Sequence, residues 1–353
     1  MGPARTIPSI VHAHAAVRPN ATALEVWDEE DGVSLTVSYA QLSKNVRSAA
    51  GFLAHVSGLQ RGDRCALHSH NNVAYVCASL GAMELGATSV NLSWRQPDNV
   101  NLELLAGLGA KLLLASRALS ALAERAQREL PSVRVMLFDS ICATPLHQAL
   151  PFGTEPAHMS PPAVAPDEEN NAEHATAVIF FTGGTTGTPK AVPHSYASLL
   201  ANIDGYLREH GQPLDPAAEP RAGSVCFTPY FHVMGYVCCL LVNLVAGCRS
   251  AMLADPDARL SPALMLKACA ALRPTVCHTV PWVVEGFATL INNGDANTAA
   301  ELSRLRLLTY GGAALPVEHA QALSEAGVTL QCAYGQTELC GPVLYGQKGA
   351  VHP

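Results

Sequence analysis

Charge is what this 353-residue sequence has least of: Asp, Glu, Lys and Arg together make up 14% of it, against roughly 25% in an average soluble chain. With 49% hydrophobic residues the chain can bury a large core, which excludes disorder as its main state. The few charges sum to −7, so the basic face of a general nucleic-acid binder is missing. Long apolar runs are missing too. None reaches the ~18–20 residues of a membrane span, and the best, Val237 to Cys248, is interrupted by Asn243. No apolar stretch near the start marks a secretory leader, and the last residues are not a peroxisomal tripeptide, so the expected compartment is the cytoplasm. The eleven cysteines include no Cys-x-x-Cys pair. That argues against a disulfide framework or a structural zinc site, and leaves the cysteines as small buried hydrophobes. His12/His14 and His68/His70 have no carboxylate or thiolate close by in sequence, which favours a structural role over metal binding.

What is present is an alternation of strand and helix patterns. Ser38-x-x-Gln41 reads as a capping box. It opens a helix whose apolar residues Leu42, Val46, Ala49, Leu53 and Val56 recur at three- and four-residue steps. Strands are expected at 64–68, 88–92, 111–115 and 133–138, with a helix at 73–85 stopped by Gly86. Residues 150–175 carry five prolines and an acidic cluster, the composition of a linker or surface loop. Strands then resume at 177–181, 224–227, 250–253, 275–279, 305–310 and 329–333, and Ser261-Pro262 is a helix start with proline at the first position. Strands separated by helices imply parallel pairing. The expected fold is α/β, with an N-terminal unit at 1–150, a linker at 151–175 and a second unit at 176–353.

Two segments carry chemistry. Thr182-Gly183-Gly184-Thr185-Thr186-Gly187-Thr188-Pro189-Lys190 follows directly on an apolar strand. Its three glycines allow backbone N–H groups to converge, its threonines add hydroxyls, and Lys190 adds a positive charge, which together make a phosphate cradle. It is not a Walker A loop, in which Lys directly precedes Ser or Thr. The second segment is Tyr334-Gly335-Gln336-Thr337-Glu338, also after a strand. In open α/β sheets ligands bind at such strand ends. Glu338 offers a carboxylate to Mg²⁺, Thr337 a hydroxyl to a phosphate oxygen, and Tyr334 a flat face to a base or acyl group.

Together these segments resemble the adenylate-forming superfamily: acyl-CoA synthetases, luciferases and the adenylation domains of nonribosomal synthetases. Four further stretches resemble that family's motifs in the expected order: Leu35 to Leu42, Leu85 to Leu92, Thr228-Pro229-Tyr230-Phe231-His232-Val233-Met234-Gly235, and Tyr310-Gly311-Gly312-Ala313-Ala314-Leu315-Pro316. The resemblance spans essentially the whole chain. It implies two doubly wound, mainly parallel sheets flanked by helices. It also implies attack of a carboxylate on the α-phosphate of Mg-ATP, giving an acyl-adenylate whose acyl group passes to a thiol, of CoA or of a carrier protein's phosphopantetheine. By the same resemblance Thr182 to Lys190 hold the β- and γ-phosphates, Thr337 the α-phosphate and Glu338 the magnesium. Gly311, Gly312, Ala313, Tyr334 and Gly335 border the nucleotide. His232 closes the carboxylate end of an acyl pocket that Met234, Trp282 and Tyr310 line, and Lys190, Thr337, Glu338 and His232 carry the catalysis.

There are departures. Gly183 stands where the family has serine, and Ala191 where it has glycine. The chain ends at Pro353, fifteen residues after Glu338. The family continues with a β-rich subdomain bearing a Thr-Gly-Asp motif and a mobile C-terminal domain bearing a lysine, so the expectation is a chain lacking both. No aspartate lies near Phe231 to grip an α-amine, which points to a non-amino acid substrate. Three readings follow: an acyl-CoA synthetase-like ligase, an adenylation module with downstream carrier or reductase domains, and a non-catalytic nucleotide- or acyl-binding fragment.

Overall fold

The computed structural model describes residues 5–138, 172–183, 189–210, 223–254 and 260–349. Contacts divide the chain into two compact units. The first comprises Met1–Ala21, Val37–Ala201 and Pro229–His232, the second Thr22–Thr36, Asn202–Thr228 and Val233–Pro353.

Strands β1 (Thr22–Asp28) and β2 (Gly32–Ser38) come first in the chain but lie in the second unit's sheet. The first unit's sheet has six strands: β3 (Arg64–His68), β4 (Thr88–Asn91), β5 (Leu112–Ser116), β6 (Arg134–Phe138), β7 (Thr176–Thr182) and β8 (Lys190–Ser195), in the order β6-β5-β3-β4-β7-β8. All neighbours are parallel except the β7–β8 pair. β4 and β5 are buried along their whole length, as strands covered on both faces must be. Helices α1 (Ile7–Val17), α2 (Tyr39–His55), α3 (Val73–Glu84), α4 (Asp98–Leu108) and α5 (Ser120–Glu129) fill out this unit. The capping box at α2 forms, Gln41 N–H donating to Ser38 Oγ at 3.2 Å and Ser38 N–H to Gln41 Oε1 at 2.8 Å. α3 is buried from Val73 to Met83, and Gly81 lets α2 approach closely: a Cβ there would meet Ala49 Cβ at 2.7 Å. His12 is a tie between helices, its Nδ1 bonding Ser43 Oγ at 2.8 Å and its Nε2 Glu84 Oε2 at 2.9 Å.

The second unit's sheet adds β9 (Gly223–Cys226), β10 (Arg249–Leu253), β11 (Val276–Thr279), β12 (Leu307–Gly311), β13 (Leu330–Gln336) and β14 (Gly341–Tyr345). Its order is β14-β13-β12-β11-β9-β10-β1-β2, with β13–β14 antiparallel and the run from β13 to β1 parallel. Further helices are α6 (Tyr196–Glu209), a π-helix at Met234–Leu241 running into α7 (Val242–Ala246), α8 (Pro262–Leu272), α9 (Pro281–Asn292), α10 (Ala296–Ser303) and α11 (Val317–Glu325). Ser261 caps α8 as its sequence predicts, accepting from Leu264 N–H at 3.1 Å. The core under α8, α9 and α11 joins Met265, Val283, Phe287, Leu308 and Leu323.

Both sheets are doubly wound and mainly parallel. Their membership crosses the boundaries expected at 150 and 175: β7 and β8 join the first sheet, and β1 and β2 join the second. Most of the proline-rich stretch expected at 150–175, namely residues 150–171, lies outside the described residues. Ten cysteines among the described residues carry free thiols, nine of them buried. No helix among the described residues is long and apolar enough to cross a membrane.

Candidate active site

In the first unit, the parallel neighbours β3, β4 and β7 send their chain out at the same sheet edge. Thr182 ends β7 and pairs across the antiparallel ladder with Lys190, which starts the edge strand β8. Both ends of the nine-residue glycine–threonine run are therefore anchored at the carboxyl end of β7. Thr182 is half-buried and Gly183 and Lys190 are exposed, and a Cβ on Gly183 would meet nothing within 4 Å. Gly184, Thr185, Thr186, Gly187 and Thr188 lie outside the described residues.

The segment Pro229–His232 is held at that same edge by the loops after β3 and β4. Tyr230 N–H donates to Asn71 Oδ1 at 2.7 Å, and Asn91 Nδ2 donates to Tyr230 C=O at 3.2 Å. Phe231 meets the Trp94 ring edge-on at 5.9 Å, and His70 meets the same ring at 4.6 Å. His232 presents its side chain to solvent. Crowding around its ring, and then the charge of Arg95, hold its pKa below the ordinary histidine value. His68, buried beside His70, is pushed down to about 4 by burial and then by that neighbour. Asn71, Asn91, Trp94 and Arg95 were not singled out from sequence. Asn91 lies inside the Leu85–Leu92 stretch, but nothing local tells that its amide reaches a residue 139 positions on.

In the second unit, β9, β11, β12 and β13 are parallel neighbours, and the remaining candidates lie in the last residues of these strands or after them. Met234 begins the π-helix, its Sδ accepting from Thr228 Oγ1 at 3.7 Å. Trp282 opens α9 and is 50% exposed. Gly311 is buried, because a Cβ there would meet Ala333 O at 2.4 Å. Gly312 has φ +93 with open space around the missing Cβ, and Ala313 is exposed. Tyr310 turns into the core with Leu308 and Phe287, and burial, then Cys332, push its hydroxyl up to about 12. Its neighbour Thr309 faces the other way and bonds His278 Nδ1 at 2.7 Å.

Tyr334 is exposed at the end of β13, where a bulge falls between it and Gly335. Gly335 lies so close to β14 that a Cβ would meet Gly341 O at 2.2 Å. Thr337 and Glu338 form one short helical turn, closed by Cys340 at φ +66, a left-handed conformation unusual for a residue other than glycine. Asn202, also not singled out from sequence, pins this turn by donating to Leu339 C=O at 3.2 Å and Pro342 C=O at 3.0 Å. Glu338 is exposed and has no ion-pair partner among the described residues. No group of three or more His, Cys, Asp or Glu able to hold a metal occurs among the described residues. A lone carboxylate fits magnesium, which keeps most of its shell as water and phosphate oxygens. A flat exposed tyrosine beside open backbone at Gly312 fits a nucleotide base.

A family model described as "AMP-binding enzyme" matches residues 11–352. A feruloyl-CoA synthase from Amycolatopsis sp is 27% identical over 332 residues, covering 94% of this chain and 59% of that protein. A chalcone synthase from Aspergillus candidus is 27% identical over 352 residues, covering 97% of this chain and 12% of that protein. The chain thus spans less than two thirds of the length of these relatives. Among solved structures, O-succinylbenzoate coenzyme A synthetase from Bacillus subtilis in complex with AMP has the same fold, with a TM-score of 0.74 at 20% identity, covering 95% of this chain and 75% of that one. So has the N-terminal domain of FACL13 from Mycobacterium tuberculosis, with a TM-score of 0.76 at 21% identity, covering 97% and 78%. The chain belongs to the family of AMP-binding enzymes.

Proposed function

We propose that this chain activates a carboxylic acid with ATP, forming an acyl-adenylate for transfer to the thiol of CoA. The observation that carries the reading is that the described motif residues lie at the carboxyl-terminal strand ends of their own parallel sheets, the edge where such sheets bind ligands. In this reading a carboxylate oxygen bonds to the α-phosphorus of ATP and pyrophosphate leaves. Lys190 and Thr182, with the residues between them, hold the departing phosphates. Thr337 bonds the α-phosphate, Tyr334 and Gly312 border the base, and neutral His232 bonds the acid. Glu338 would hold magnesium, which when bound offsets the charge of the phosphate oxygens. No protein nucleophile is needed, because the work is positioning and charge stabilisation.

The test is acyl-adenylate formation from Mg-ATP with a panel of aromatic and aliphatic acids, followed by mass spectrometry, beside calorimetry of ATP binding. We expect acid-dependent product and, for Lys190→Ala, about tenfold weaker ATP binding, the effect of losing a charged hydrogen bond. ATP binding without product from any acid overturns the activity in favour of a non-catalytic nucleotide-binding protein. A second reading, an adenylating module whose acyl group passes to a carrier protein, draws on the Aspergillus candidus relative, of which this chain covers 12%. Transfer to a phosphopantetheinyl carrier in preference to CoA would select it.

A further inference from the structure

We propose that Arg95 is a specificity-determining residue that draws in and orients the ionised carboxylate of the acid beside His232. The inference deepens the proposed function and rests on it. Arg95 follows β4 by four residues, in the loop that leaves the sheet edge shared with Thr182 and Lys190. Its Cζ lies 4.9 Å from the centre of the Trp94 ring. That ring meets Phe231 edge-on at 5.9 Å, with 81° between the ring planes, and Phe231 is bonded in sequence to His232. Guanidinium, indole and phenyl therefore follow one another in contact, and His232 comes next in the chain after the last of them. Backbone bonds hold this row in register, since Asn71 and Asn91 clamp Tyr230 by its N–H and its C=O.

Among the described residues the Arg95 side chain has the Trp94 ring as its partner and no carboxylate or carbonyl. Among the described residues its five N–H donors are left for a ligand. A guanidinium stacked on an aromatic face has lost little freedom still to be lost on binding, and its planar fork matches a carboxylate. Burial, and then the field of Arg95, act on His232. With its pKa held down, His232 is neutral at pH 7 and can donate one hydrogen bond without bringing a second charge. Arg95 thus supplies the charge and His232 the direction. As the carboxylate oxygen bonds to phosphorus, its negative charge moves away toward the leaving pyrophosphate. The attraction to Arg95 is then greatest in the ground state, so its loss should raise KM for the acid and leave kcat little changed.

The experiment titrates the full chain with benzoate and with its neutral isostere benzamide, following the histidine-ring resonances by NMR. Arg95 is exposed, so Arg95→Gln should leave the fold unchanged. We expect the parent to bind benzoate more tightly than benzamide. Arg95→Gln should lose about three- to fivefold in benzoate affinity, an exposed-site value, and nothing for benzamide, while the His232 pKa rises toward its ordinary value. Arg95→Lys should fall between, keeping the charge without the fork. Unchanged benzoate affinity in Arg95→Gln, or an equal loss for benzamide, overturns the assignment. If the parent forms acyl-adenylate and Arg95→Gln keeps its KM for the acid, Arg95 alone is excluded and the function stands. A parent that forms no acyl-adenylate from any acid removes the function and this inference together.

Discussion

Most of the side chains proposed to do the chemistry stand at the surface. Lys190, His232, Tyr334 and Glu338 are all exposed, whereas the residues that place them, Asn71, Asn91 and Asn202, spend their amides on backbone groups of other segments. Function and stability should therefore separate on substitution. Glu338→Gln removes a charge from an exposed turn, and its unfolding free energy should stay within about 0.5 kcal/mol of the parent. Nucleotide binding in the variant should lose its dependence on Mg²⁺. Calorimetry with magnesium and with EDTA checks this, and a variant that still answers to magnesium places the ion on another residue.

Secondary-structure elements show where the fold does constrain the site. The β13–β14 hairpin carries the Tyr334–Glu338 segment, and it closes only because Gly335 has no side chain. A Cβ there would press on backbone, Gly341 O at 2.2 Å and Gly341 C at 2.5 Å, which cannot rotate away. Gly335→Ala should destabilise the chain by about 1–3 kcal/mol through overpacking, visible as a lower urea midpoint. A variant with the parent's midpoint would mean that β14, at the sheet edge, slides to make room. The eight-residue π-helix after His232 is another element with a bearing on function, since such helices are rare and concentrate near working sites.

At the scale of the molecule, each unit folds around histidines that stay neutral. Burial pushes His68 of the first unit down to about 4. In the second unit it takes His278 to about 4 and His210 to about 3, the latter helped by neighbouring His278 and by the cations Lys348 and Arg306. In the unfolded chain these residues titrate near 6.5. Between about pH 6.5 and 4 the unfolded chain binds the extra protons, so stability falls as pH drops through that window and is insensitive to these groups above it. Each histidine contributes at most about 1.4 kcal/mol per pH unit. Urea midpoints measured from pH 7.5 to 4.5 test the trend. In His278→Gln, which keeps a neutral polar group near Thr309 and Tyr206, the decline should be shallower. An identical decline would show that His278 does not resist protonation in the fold.

Taken alone, the sequence determined what depends on neighbours along the chain. Ser38 with Gln41 and Ser261 with Pro262 start helices because a cap needs only residues within one turn. Apolar runs of four to six residues become strands, and their order yields two mainly parallel sheets. The motifs were legible for the same reason, since glycines, threonines and a lysine in nine residues can make one local cradle. Strands whose identity depends on their partners were harder to see. β8 contains Pro193, which an edge strand tolerates, and β1 and β2 take their place beside β10, more than two hundred residues away in sequence. Tertiary structure alone decided that Tyr310 faces the core while Thr309 faces His278, because side chains alternate along a strand and only the packed sheet says which face is which. It also decided that Asn71, Asn91 and Arg95 surround a segment some 140–160 positions further on, because parallel strands bring the loops at their carboxyl ends together whatever their separation in sequence.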